Sequence, residues 1–325
     1  MKSEKITQKI TQKIGIDKLL DIAVPIIDYM IPIKYSPNGE YTHRDFLTCL
    51  IDYTTKNVSW RKYKGTIHCP INGLYLNEIH NKYVKNGVYD EINRQILNNY
   101  LKEGKEEKLK YQSIDSSFIA NKGGSIEPNN KFLSEKVKKN NKKIKKNNKK
   151  LPKKDRKRTE SFIDQNKFNG RKKYFKVSSI VDSKGAPLVS TLISSRQSDS
   201  ISVIETVEKL PSNLNTLKNS KNNRYKQYIL ADALYNTNKN KSYARKMGYT
   251  PIFAYNKRNT KDKEKIKMNR LKGKKLKIYK KRNIIEAFFS WIKNFPVINQ
   301  NYQKTLESYN GLLSLASSII ISNKM

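Results

Sequence analysis

Residues 279–296 read YKKRNIIEAFFSWIKNFP, a spacing that predicts one amphipathic helix stopped by Pro296. At about 100° per residue, Tyr279, Arg282, Glu286 and Lys293 fall within roughly a 60° arc. Ile284, Ile285, Phe288, Phe289 and Ile292 cluster on the largely opposite side. One face therefore carries a carboxylate flanked by cations and a phenol, and the other buries itself.

Upstream of that helix the pattern alternates between strands and helices. YQSIDSSFIA (111–120) alternates and is rich in β-formers, so it reads as a strand with Asp115 near its end. KKYFKVSSIVD (172–182) and APLVSTLISS (186–195) are apolar β-rich runs joined by Asp182-Ser183-Lys184-Gly185, a hairpin signature. Ser200–Leu210 reads as a helix, and Tyr228–Leu230 as a short strand running straight into Asp232. A helix over Asn238–Met247, ended by Gly248, a strand in YTPIFAYNK and a basic connector, Arg258–Lys277, lead into the patterned helix. A final helix covers roughly Thr305–Ser322. The order predicts a mixed α/β domain over 109–325.

Residues 1–108 read as an all-helical N-terminal domain. Periodicity marks Ile16–Met30, then THRDFLTCLIDYTT (42–55) with Thr42 as N-cap, then two segments ended by Gly87 and Gly104. Such a bundle serves either DNA binding or dimerisation, or packs as a cap on the main domain. Residues 132–160 are a Lys/Asn-rich, strongly like-charged tract, expected to be a disordered insertion because it lacks apolar surface to bury.

Lys and Arg number 67 against 28 Asp and Glu, a net charge of +39 over 325 residues. Such a surface attracts nucleic acid or anionic membrane. AT-rich coding DNA would enrich Lys, Asn, Ile and Tyr in the same way, so basicity alone decides little. Asp17, Lys18, Asp21, Pro25 and Asp28 interrupt the apolar stretch 16–33, which argues against a membrane span. The polar N-terminus lacks a signal-peptide core, and an intracellular, DNA-associated protein is expected. Cys49 and Cys69 are too few for a disulfide framework. With His43, His68 and His80 they show no zinc-ligand spacing.

Phosphodiester cleavage needs an activated nucleophile and a stabilised leaving oxygen, and two divalent cations about 4 Å apart serve both needs. Hard cations take carboxylate oxygens. Asp115 and Asp232, at strand ends, could converge on adjacent strands, with Glu286 approaching from a helix packed on the sheet. Each has a plainer reading. An Asp after a strand is ordinarily a turn or cap residue, and a Glu four positions from Arg282 is ordinarily half of a surface ion pair.

The joint pattern resembles the Y-R-E-K signature of bacterial-type insertion-sequence transposases, at Tyr279, Arg282, Glu286 and Lys293. IDSSFIANKGG is similar to their first-Asp segment, LADALYN to the second with its Tyr three residues on, and NGRKKYFKVSSIVDSKGAPLVSTLISSRQSDS to the central hairpin. VSWRKYKG and LYLNEIHNKYVKNGVYDEI resemble their helical entry domain. The resemblance spans about Thr42 to Ser322.

It implies a ribonuclease-H-like mixed sheet flanked by helices, with a DDE triad of Asp115, Asp232 and Glu286 binding two Mg²⁺ or Mn²⁺ ions. It implies hydrolysis at the element's ends, then attack of the freed 3′-hydroxyl on target DNA. Tyr279, Arg282 and Lys293 would contact phosphates near the cleaved end. The partners implied are double-stranded terminal inverted repeats and target DNA, with a homodimer suggested by synapsis of two ends. The short stretch from Asp232 to Glu286 leaves no room for a large inserted β domain, and the basic tract matches no family feature. A recruited, non-transposing DNA-binding protein that keeps the fold is the alternative.

Overall fold

A computed structural model describes residues 15–32, 41–122, 173–195, 199–211, 226–256 and 268–325, with 139, 142–144, 146, 164–165, 214, 262 and 264. The basic tract 132–160 lies outside the described residues but for a few positions.

Among the described residues the N-terminal region holds the helices α1 (Ile16–Met30), α2 (His43–Thr55), α3 (Gly73–Lys85) and α4 (Val88–Tyr100), with a 3-10 turn at Trp60–Lys62. Thr42 opens α2 as the spacing predicts. Its hydroxyl accepts from Asp45 N at 3.2 Å, and the Asp45 carboxylate accepts from Thr42 N at 2.8 Å. That reciprocal capping satisfies two otherwise orphaned donors. Gly87 parts α3 from α4 at φ +69°, a left-handed conformation that glycine takes without a Cβ penalty.

After α5 (Lys105–Leu109) come β1 (Tyr111–Asn121), β2 (Asp164–Gln165), β3 (Lys173–Val181), β4 (Pro187–Ile193) and α6 (Asp199–Glu208). Then follow β5 (Tyr228–Ala231), a 3-10 turn (Ala233–Tyr235), α7 (Asn238–Lys246) and β6 (Thr250–Phe253). The chain closes with α8 (Gly273–Tyr279), a 3-10 segment (Lys280–Asn283), α9 (Ile284–Lys293), α10 (Pro296–Asn299), β7 (Gln300–Asn301) and α11 (Leu306–Ser322). β1 is central, antiparallel to β3 on one side and parallel to β5 on the other. β4 extends the sheet antiparallel beyond β3, and β6 extends it parallel beyond β5. Three antiparallel strands followed by two parallel ones, flanked by helices, make the expected ribonuclease-H-like mixed sheet.

Four expectations need correction. Asp115 sits inside its strand rather than near its end, because β1 stays paired with β3 from Ser113 through Ala120. What ends beside it is β5, whose pairing with β1 stops at Ser113 and Leu230. The patterned helix is not continuous: Tyr279 closes α8, Arg282 lies in the 3-10 segment, and only Glu286 and Lys293 lie on α9. Three adjacent cations and Asn283, a weak helix former, accompany that tightened turn. α8 also starts within the stretch read as a connector. Pro296 opens α10 at its first turn, two residues beyond the α9 C-cap Asn294, since its missing N–H needs no partner there.

Helix α9 is seated as its pattern requires, with Ile285, Phe288, Phe289 and Ile292 buried. It rests on the β3–β4 turn. There Gly185 has φ +79°, and an added Cβ would stand 2.9 Å from Trp291 and 3.0 Å from Ile284. Asp182 fixes the turn by accepting from Lys184 N, Ala186 N and the Tyr100 hydroxyl.

Helix α11, almost wholly buried, joins the N-terminal helices to the sheet in one apolar core. Tyr309 meets Phe175 of β3 edge to face, and Ser308 Oγ lies 2.9 Å from His80 Nε2 of α3. Burial pushes His80 down to about 4, so the ring is neutral and structural at ordinary pH. Among the described residues no helix is long and apolar enough to cross a membrane.

Candidate active site

Asp115 and Asp232 come side by side because β1 and β5 are parallel neighbours. Ser113 is level with Leu230, and each aspartate follows two residues later on its own strand path. The Asp115 carboxylate is held on one side: Oδ1 accepts from Ser116 N at 2.8 Å and from the Tyr235 hydroxyl at 3.3 Å. Asp232 caps the 3-10 turn, its Oδ1 accepting from Leu234 N at 2.5 Å. The plain reading of an Asp after a strand therefore holds for Asp232, and it leaves Oδ2 uncommitted to the cap.

Arg282 ties the third acid to the first. Nη2 donates to Glu286 Oε1 at 2.6 Å, and Nη1 lies 3.4 Å from Asp115 Oδ2. The Arg282 side chain is 14% exposed and that of Glu286 59%. Tyr279 is half-buried, with the guanidinium carbon 5.9 Å from its ring centroid. Its phenol is pushed up by burial, and further by Asp232 and Asp115, against the opposing pull of Arg282. Three further predicted residues thus surround the Asp115–Arg282 contact: Asp232, Tyr279 and Glu286.

Lys293 is the exception. It lies seven residues beyond Glu286, about 10 Å along the helix axis, and no ion pair to it is formed among the described residues. It is partly buried, and that burial pushes its ammonium pKa down.

Burial pushes the Asp115 carboxyl up, and the neighbouring Asp232 charge adds to this, while Ser116, Arg282 and Tyr235 pull the other way. Two carboxylates that repel in a half-buried setting favour a cation between them. Asp115, Asp232 and Glu286 offer only hard oxygen donors, the chemistry that Mg²⁺ or Mn²⁺ takes. Among the described residues no three acidic, His or Cys side chains yet converge closely enough to share one ion. Glu286 is held by Arg282, which also reaches Asp115.

Sequence reasoning did not assign Tyr235 a role, nor foresee that Arg282 would reach Asp115. Tyr235 left a signal in its spacing, three residues after Asp232, which is the length of one 3-10 turn. The Arg282–Asp115 contact spans 167 positions, and nothing local announces it.

A family described as the transposase DDE domain matches residues 112–321. That range holds Asp115, Asp232 and Glu286 and begins after the N-terminal helices. Among solved structures, a cryo-EM structure of a piggyBac transposase synaptic complex with hairpin DNA matches with a TM-score of 0.45 and 9% identity, covering 98% of this chain and 74% of that one. No curated protein matches. Members of the DDE family generally depend on metal ions, and with well over half its length matched, this chain belongs to the transposase DDE domain family.

Proposed function

We propose that this chain is a DNA transposase that cleaves phosphodiester bonds at element ends and joins the freed 3′-hydroxyl to target DNA. The observation that carries this is the Asp115–Asp232 pair at the ends of parallel pairing, linked to Glu286 through Arg282. Asp115, Asp232 and Glu286 would hold two Mg²⁺ or Mn²⁺ ions, which supply an activated nucleophile and neutralise the developing charge.

The rest of the chemistry belongs to the chain. Ser116 N and the Tyr235 hydroxyl fix Asp115 through Oδ1, which leaves Oδ2 on the side of Arg282. Leu234 N holds Asp232 through its Oδ1. Arg282 suits bidentate phosphate binding, and Tyr279 beside it offers a phenol to the same strand. Lys293 acts as a point charge further along, about 10 Å on, or roughly three base-pair rises. This assignment follows the Y-R-E-K spacing. The net charge of +39 drives association with double-stranded DNA by counterion release. Residues 1–108 serve DNA binding or dimerisation, and two copies pair the terminal inverted repeats.

The test is strand joining. Purified protein is incubated with an element-end duplex, a supercoiled target and Mg²⁺ or Mn²⁺, alongside Asp115→Ala and Glu286→Ala. Metal-dependent joined product is expected from the wild type and from neither variant. A wild type that binds DNA without nicking or joining it would mark a non-transposing DNA-binding protein.

A further inference from the structure

The present seat of Arg282 is imperfect as a permanent ion pair. Its bond to Glu286 Oε1 is short at 2.6 Å, but its approach to Asp115 Oδ2 is 3.4 Å. That is long beside the roughly 2.7–2.9 Å of a good charge-assisted bond. Nε is buried without a hydrogen-bond partner, so one of the guanidinium's donors is unsatisfied where it sits. The two carboxylates it touches belong to different elements and form no planar fork. A phosphate does present paired oxygens to a guanidinium.

Asp115 Oδ2 and Glu286 Oε1 are also the oxygens that Arg282 occupies, while Oδ1 of Asp115 is taken up by Ser116 and Tyr235. We propose that Arg282 is an exchangeable counter-cation. It neutralises Asp115 and Glu286 until a DNA phosphate takes its guanidinium, which frees both carboxylates for divalent ions. This rests on the reading of Asp115, Asp232 and Glu286 as metal ligands. It makes DNA and metal binding reciprocal: each raises the affinity for the other by the same factor, about 5- to 150-fold for coupling of ordinary strength. The site then becomes competent when DNA arrives and is held shut by its own arginine otherwise.

Mn²⁺ binding to the full chain tests this, read as loss of the free-ion electron paramagnetic resonance signal. It is measured with and without a duplex oligonucleotide whose own Mn²⁺ uptake is subtracted. Wild type is expected to bind Mn²⁺ about 5- to 150-fold more tightly with the duplex than without. Arg282→Gln is expected to bind Mn²⁺ more tightly than wild type in the absence of DNA. Its gain from the duplex should shrink several-fold, leaving only the general attraction of DNA for cations. Arg282→Lys keeps the charge but cannot span both carboxylates, so its DNA-free affinity should fall between the two, and it serves if the Gln variant does not fold. A wild-type affinity indifferent to duplex, or Arg282 variants no tighter than wild type, overturns the exchange. Asp115→Asn separates the two ideas. If it leaves Mn²⁺ affinity intact, the metal-ligand reading fails. If it lowers that affinity while the Arg282 variants behave as wild type, only the exchange fails.

Discussion

The Tyr235 hydroxyl stands 3.3 Å from Asp115 Oδ1, across 120 positions of chain. Asp232 caps the same 3-10 turn that ends in Tyr235, so one short turn fixes the orientation of both aspartates. Tyr235 is fully buried, and its position is set by packing rather than by solvent.

Removing that hydroxyl is expected to impair chemistry more than folding. Tyr235→Phe keeps the ring in the core and deletes one donor to Asp115, a loss of about 1–2 kcal/mol or roughly five- to thirtyfold in nicking rate. The bond also pulls the Asp115 carboxyl down, so without it that group's pKa rises further. The acid limb of the pH–rate profile should therefore move to higher pH. An unchanged profile would show that the contact does not orient Asp115.

Asp115 carries a stability cost that its replacement should reveal. Burial holds its carboxyl above the ordinary value of 3.8. A carboxyl raised in the folded state stabilises the fold when protonated. That contribution is fully present below the unfolded pKa and is lost as pH rises through the folded one. At pH 7 the ionised group is therefore unfavourable, and Asp115→Asn should raise stability and with it Tm. Calorimetry at pH 7 decides it, and a lower Tm in the variant would contradict the sign.

Much of this was legible locally. The hairpin turn at 182–185, the cap at Thr42 and the buried stripe of α9 are short-range signals, and the structure reproduces them. Asp232 is readable because it directly follows the apolar strand β5. The break between α8 and α9 was not readable, since periodicity alone does not distinguish 3.6 from 3.0 residues per turn over four positions. The strand over 111–120 is legible from its alternation, but the place of Asp115 in its middle is not, because that follows from pairing with β3 through Ala120. Arg282's reach to Asp115 is likewise a tertiary fact.

The seat of α9 on the hairpin turn can be tested at Gly185. Ala there must hold φ near +79° and place a Cβ against Trp291 and Ile284. Strain and overpacking together should cost about 2–4 kcal/mol. Denaturant unfolding is expected to show a lower midpoint with an unchanged slope. A midpoint equal to wild type would mean that the helix does not rest on this turn.

Lys293 is expected to act on DNA alone. Lys293→Gln should weaken duplex binding evenly across sequences and reduce the magnitude of the log–log salt slope by about 1. Its Mn²⁺ affinity without DNA should stay that of wild type, because Lys293 lies two turns from the acids. Fluorescence anisotropy over a salt series measures the slope, and a wild-type slope would remove Lys293 from the DNA-contacting face.

The most direct measurement is metal-dependent nicking of supercoiled DNA by wild type, Asp115→Asn, Asp232→Asn and Glu286→Gln, each isosteric and each checked for folding. With Mg²⁺ or Mn²⁺ the wild type is expected to nick, and each amide variant to lose the activity while remaining folded. Nicking at the wild-type rate by any one of the three would contradict the assignment of these acids as the catalytic triad.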